Sequence, residues 1–229
     1  MDYTYSDMAK MIDHSLLNPT MTWDDLEAGC KVAVDYDVAS VCIMPYALPR
    51  CVELLAGSTV KASTTIGFPH GGHTTAVKVA EARQALADGG QELDMVVNIS
   101  KVLSGDWDYV RQDLAAVIEV THEAGQKVKV IFENCYLADE HKVRLCEICG
   151  ELGADWVKTS TGYGTGGATH EDLKLMRKHS PPEVQVKAAG GVRTLDALLE
   201  VRALGVTRVG ASRTVTMLDE CKSRLGMKT

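Results

Sequence analysis

The chain has 229 residues, 45% hydrophobic and 24% charged, with a formal net charge of -7. That suits one globular domain spanning residues 1–229, slightly short for an α/β barrel of about 250 residues. The negative balance argues against nucleic acid or an anionic membrane as partner, and no run reaches the roughly 18 apolar residues of a membrane span.

The opening Met1-Asp-Tyr-Thr-Tyr-Ser-Asp7 is acidic and polar, so it does not read as a signal peptide. From there the chain alternates short β-branched runs with longer amphipathic ones through eight cycles. Strands are expected over residues 11–16, 39–44, 62–66, 93–98, 127–133, 156–160, 184–188 and 207–210. Helical periodicity fills the gaps, for example over 74–88, 107–124 and 195–204, and a short helical extension precedes the first strand. Glycines end several helices just before the next strand: Gly89-Gly90, Gly125, Gly153 and Gly205. A glycine past the last helical turn allows a short return loop. Tight returns on one side and longer loops on the other predict a single-domain (β/α)8 TIM barrel, with its site at the C-terminal ends of the strands. The competing fold is an open doubly wound sheet, which the same alternation would serve.

Cysteine usage agrees with a cytoplasmic protein. Seven cysteines is an odd number without disulfide-like spacing. Cys146 and Cys149 form a C-x-x-C inside the helical stretch 140–151, where three-residue spacing reads as a core stripe.

Two lysines carry the chemistry. Lys158 lies in Asp155-Trp-Val-Lys-Thr-Ser-Thr-Gly162 and Lys187 in Val184-Gln-Val-Lys-Ala-Ala-Gly-Gly191. Each sits in a strand between apolar neighbours, with a glycine-rich turn beyond it. Burial of an ammonium pushes its pKa down, and a second ammonium nearby pushes the same way. The neutral amine that results can attack a carbonyl and form a Schiff base. Period-two alternation sets Lys158 opposite in face to Val157, so it points into the barrel if Val157 meets the helices. By the same rule Lys187 and Asp94 point inward, Asp13 joins them from the first strand, and Cys42 faces the pocket from the second. Gly190 and Gly191 permit close approach of backbone N–H groups to a phosphate. Thr194 and Ser212 stand where two helices begin, and Arg193 or Arg213 can add charge. Together these features imply a Schiff-base enzyme for a phosphorylated carbonyl compound.

These residues resemble the 2-deoxyribose-5-phosphate aldolase family, class I aldolases on a (β/α)8 barrel. The likeness runs through Ile12-Asp-His-Ser-Leu-Leu17, Val41-Cys-Ile-Met-Pro45, Ile66-Gly-Phe-Pro-His-Gly71 and Thr75-Ala-Val-Lys-Val79. It continues in Glu92-Leu-Asp-Met-Val-Val-Asn98, Val130-Ile-Phe-Glu-Asn-Cys135, Val157-Lys-Thr-Ser-Thr-Gly162, Val186-Lys-Ala-Ala-Gly-Gly-Val-Arg-Thr194 and Val209-Gly-Ala-Ser212. The resemblance implies Lys158 as the Schiff-base lysine and Lys187 as the lysine that lowers its pKa. It implies Asp94 as the acid-base aspartate and Asp13 as the support of Lys187. It also implies that the turns at Thr161 and Gly162, at Gly190, Gly191, Val192 and Arg193, and at Gly210, Ala211 and Ser212 hold the substrate phosphate. The expected partners are a phosphorylated sugar and an aldehyde, with no cofactor and no metal, in a homo-oligomer, dimer or tetramer. His70, His73 and Arg213 depart from the family pattern, Ser15 stands for a usual threonine, and the end at Gly226-Met-Lys-Thr229 lacks the tyrosine tail of longer members.

Three other readings compete. Gly162, Gly164 and Gly167 form a G-x-G-x-x-G, but it follows the sixth strand, whereas a dinucleotide fingerprint opens the first βαβ unit. A metal-dependent aldolase would use His70 and His73 with His14 or His170, yet no carboxylate or third histidine is locally evident. A barrel that only senses a sugar phosphate gains little from two buried amines.

Overall fold

The computed structural model describes residues 2–227; Met1, Lys228 and Thr229, which enter the reading of both chain ends, lie outside them. A short helix, α1 (Tyr5–Ala9), precedes β1 (Ile12–Leu16). Then follow α2 (Trp23–Asp35), β2 (Ser40–Ile43), α3 (Leu48–Leu55), β3 (Lys61–Ile66), α4 (Thr75–Ala87) and β4 (Glu92–Val96). Two helices, α5 (Ile99–Leu103) and α6 (Trp107–Glu123), separate β4 from β5 (Lys127–Ile131). The chain continues through α7 (Asp139–Leu152), β6 (Trp156–Lys158), α8 (His170–His179), β7 (Gln185–Ala189), α9 (Leu195–Ala203), β8 (Arg208–Ala211) and α10 (Thr214–Arg224).

All eight strands pair in parallel and in chain order, and β8 closes on β1 through Ile12 opposite Val209. The sheet is therefore a closed (β/α)8 barrel, and the open doubly wound alternative falls. The outward faces of the strands carry Ile12, Val41, Leu93, Val130, Val157, Val186 and Val209, all 0% exposed and packed in one core with the helices. Truncating one of these to alanine, Leu93 for example, costs about 2–5 kcal/mol through lost burial and the cavity left behind.

Local chemistry starts the helices where it is needed. Thr22 accepts from Asp25 N while Asp25 returns the bond to Thr22 N, a capping box at the head of α2. Thr169 and Thr194 cap α8 and α9 by accepting from Asp172 N and Ala197 N. Gly153 ends α7 with φ +72°. Cys146 and Cys149 are both buried along α7, and burial raises the thiol pKa of each.

The expected strands run two residues too long at their C-terminal ends in three places, each for a local reason. Asn98 leaves β4 to cap α5, accepting from Lys101 N at 3.2 Å. Beyond β5, Glu133 takes a left-handed backbone with φ +59°. Past Lys158 the ladder of β6 gives way to a side chain: Thr159 Oγ1 donates to Ala189 O and accepts from Ala189 N.

Candidate active site

Barrel interiors are commonly filled by branched aliphatic side chains. Here the inward positions carry charge. β6 and β7 are in register with Lys158 opposite Lys187, so their ammonium groups enter from adjacent strands. Both donate to the same atom: Asp94 Oδ2 lies 2.7 Å from Lys158 Nζ and 2.8 Å from Lys187 Nζ. Lys187 also lies 2.5 Å from Asp13 Oδ2. Asp13 and Asp94 are 0% exposed, Lys187 1% and Lys158 3%.

The two lysines respond to this setting in opposite directions. Burial pulls the Lys158 ammonium down; Asp94 pulls it back up and Lys187 presses it down again, and the net result is lowered. Burial also lowers Lys187, but Asp13 and Asp94 outweigh that and its pKa is raised. Lys187 therefore stays an ammonium and favours the free amine at Lys158. Burial pushes the Asp94 carboxyl up, yet Lys129, Lys158 and Lys187 hold it well below the usual carboxylate range.

Above this group lies a cavity of about 170 Å³ whose wall includes Asp13, Ser15, Cys42, Lys158, Thr161, Gly162, Lys187, Gly190, Gly210, Ala211 and Ser212. It shares Ser15, Leu17, Thr161, Gly162 and Ser212 with a larger cleft of about 760 Å³ at the barrel mouth. Cys42 is a buried thiol, its pKa raised by burial and then by Asp94. Of the positions assigned to the phosphate turns, Val192 is buried in the hydrophobic core. Gly191 and Arg193 are exposed and do not line the cavity. Gly190 is required where it stands. Its φ is +78°, and a Cβ there would meet Gly167 Cα at 2.9 Å.

The same contact requires Gly167 in the loop after β6, where a Cβ would meet Gly190 O at 2.6 Å. Gly162, Gly164 and Gly167 open no helix directly, since α8 begins at His170. A Cβ on Gly164 would meet Cys135 Sγ at 2.7 Å, so the loop lies closely against its neighbours. His70 and His73 are exposed, and His73 Nδ1 sits 3.5 Å from Glu81. Among the described residues no three His, Cys, Asp or Glu side chains converge to hold a metal ion.

Several residues of the site escape the sequence reading. Lys129 is fully buried, 2.8 Å from Asp94 Oδ1 and 2.5 Å from Glu92 Oε2. Arg208 bridges Asp13 Oδ1 at 2.6 Å and Glu92 Oε2 at 2.9 Å. Glu133 accepts from Thr161 N at 3.1 Å and from Thr161 Oγ1, which fixes a wall residue of the cavity. Tyr163 spans the mouth: its hydroxyl donates to Leu17 O, and its ring meets Phe68 edge-on at 5.5 Å.

A closed barrel with paired lysines on one carboxylate, beneath a cavity at the strand C-termini, has the layout of an enzyme that works on carbonyl groups. Residues 7–212 match the DeoC/LacD family aldolase model, and the chain belongs to that family. A deoxyribose-phosphate aldolase of Rhodopirellula baltica is 70% identical over 226 residues, covering 99% of this chain and 94% of that protein. One from Thermococcus gammatolerans is 48% identical, covering 95% and 97%. Among solved structures, the tetrameric deoxyribose phosphate aldolase from Aeropyrum pernix superposes with a TM-score of 0.88 at 30% identity, covering 96% of this chain and 93% of that one.

Proposed function

We propose that this chain is a deoxyribose-phosphate aldolase that reversibly cleaves 2-deoxyribose 5-phosphate to glyceraldehyde 3-phosphate and acetaldehyde through a Schiff base on Lys158. The observation that carries the reading is the sharing of Asp94 Oδ2 by Lys158 and Lys187. It supplies both a poised amine and a carboxylate beside it.

In the cleavage direction the Lys158 amine adds to the C1 aldehyde of the open-chain sugar, and loss of water leaves an iminium. Its positive nitrogen draws electrons. Removal of the C3 hydroxyl proton then breaks the C2–C3 bond, and the bonding pair moves into the iminium to give an enamine. Glyceraldehyde 3-phosphate departs, a proton returns to C2, and water hydrolyses the imine to acetaldehyde and free Lys158. Asp94, within reach of both amines, moves these protons through a bound water, with Asp13 holding Lys187. The surrounding basic side chains keep both carboxylates ionised against the opposing effect of burial, and their contacts fix them in place.

The phosphate is held by the turns after β7 and β8. Gly190, Gly210, Ala211 and Ser212 line the cavity there, and α9 and α10 begin just beyond with their N-termini at the same end of the barrel. Free cysteines throughout the described residues fit a cytoplasmic protein, and the tetrameric relative from Aeropyrum pernix supports a homo-oligomer; the enzyme would return deoxyribonucleoside carbon to sugar breakdown.

Purified protein given 2-deoxyribose 5-phosphate should release acetaldehyde, followed by its coupled reduction. Lys158→Ala should abolish release while retaining substrate binding. Cleavage by Lys158→Ala at a rate near the parent's would overturn the reading.

A further inference from the structure

The charges inside the barrel do not balance. Three carboxylates, Asp13, Glu92 and Asp94, face four basic side chains, Lys129, Lys158, Lys187 and Arg208. Lys129 is 0% exposed and lies outside the cavity wall. Its Nζ is 2.5 Å from Glu92 Oε2, 2.8 Å from Asp94 Oδ1 and 3.6 Å from Asp13 Oδ2, with the Trp156 ring 5.7 Å away. Arg208 holds Asp13 and Glu92 from the β8 side. Lys187 has two carboxylate partners, Asp13 and Asp94. Lys158 has one, the Asp94 oxygen it shares with Lys187. The remaining neighbours are neutral: β2 contributes the Cys42 thiol, and β3 contributes Ser63, 3.5 Å from Asp94 Oδ1.

A buried cation without its own counterion is strongly disfavoured, and the group relieves this by losing a proton. The member with the fewest carboxylate contacts yields first. We propose that Lys129 is a positioning residue for the reaction: by occupying Asp94 Oδ1 and Glu92, it leaves the buried group one carboxylate short, and Lys158 meets the shortfall by standing as the free amine. The inference rests on Lys158 being the Schiff-base lysine, and it assigns the poise of that amine to the whole buried group and not to Lys187 alone.

The test is the pH dependence of reductive trapping with acetaldehyde and cyanoborohydride, read at Lys158 by peptide mapping. In Lys129→Met the group is balanced with Lys158 protonated, so the acidic limb should move up by about one pH unit or more, with trapping at neutral pH roughly tenfold slower or worse. The double variant Glu92→Gln with Lys129→Met has two carboxylates and three basic groups, so the limb should return towards the parent position. A lysine that only supports packing would slow trapping in both variants without moving the limb. An unmoved limb in Lys129→Met, or the same displaced limb in the double variant, overturns the inference. If Lys129→Met does not fold, Glu92→Gln alone decides: it deepens the shortfall and must move the limb down, and an unmoved or raised limb is contrary. Parent trapping at another lysine refutes the Schiff-base reading itself; trapping at Lys158 with an unmoved limb refutes only the role of Lys129.

Discussion

Lys158 and Lys187 stand opposite each other in the β6–β7 register and donate to one carboxylate oxygen, Asp94 Oδ2, at 2.7 and 2.8 Å. One oxygen cannot fully compensate two ammonium groups, so one of the pair is pressed to lose its proton. Asp13 decides which. It sits 2.5 Å from Lys187 and gives that lysine a second counterion.

Replacing Lys187 with leucine removes the neighbouring cation while keeping much of the side-chain volume. The Lys158 pKa should rise, and kcat/KM near neutral pH should fall by about one to three orders of magnitude. Part of that loss should return at alkaline pH. A uniform loss at every pH would make Lys187 a substrate contact or a packing residue and remove its electrostatic role.

The phosphate turns can be probed without disturbing the lysines. Ser212 is exposed and lines the cavity just ahead of α10. Ser212→Asp sets a negative charge beside the proposed phosphate position. The KM for 2-deoxyribose 5-phosphate should rise about tenfold, or about 1.4 kcal/mol, while that for unphosphorylated deoxyribose stays close to the parent value. Equal losses on both sugars would place the phosphate elsewhere.

How much of this was legible depends on the signal each residue carries. Lys158 and Lys187 stand out because apolar neighbours flank them and a glycine-rich turn follows. Asp94 and Asp13 emerge from strand alternation. Lys129 obeys the same rule, with Val128 and Val130 on either side, but Ile131-Phe-Glu133 follows it and no such turn draws attention to it. Glu92 shares a face with Asp94, two residues away, and that pairing was available to the same reasoning. Arg208 and Tyr163 were not. Arg208 gains its meaning only when β8 closes beside β1. The Tyr163 hydroxyl reaches Leu17 O across 146 residues of chain, and no local pattern encodes such a contact.

His14 provides a stability test that avoids catalysis. Its Nδ1 is 2.8 Å from Thr214 Oγ1, and burial lowers its pKa to about 4. An unfolded histidine titrates near about 6.5, so between those values the unfolded chain binds more protons and stability rises with pH. The contribution is complete above about pH 6.5 and is lost as pH falls towards about 4. Its size is on the order of 3 kcal/mol. His14→Asn keeps a polar atom near Thr214 and removes the titration. Urea unfolding of the variant should show a much shallower dependence of stability on pH than the parent between about 6.5 and about 4, and an unchanged slope would assign the acid sensitivity to other groups.

The most direct test of the central claim is reductive trapping of the parent protein with acetaldehyde and borohydride, followed by peptide mass mapping. The Lys158 amine should carry a single ethyl group, and Lys187, held as an ammonium between Asp13 and Asp94, should remain unmodified. Ethylation of Lys187 with Lys158 free, or of surface lysines alone, would contradict the account.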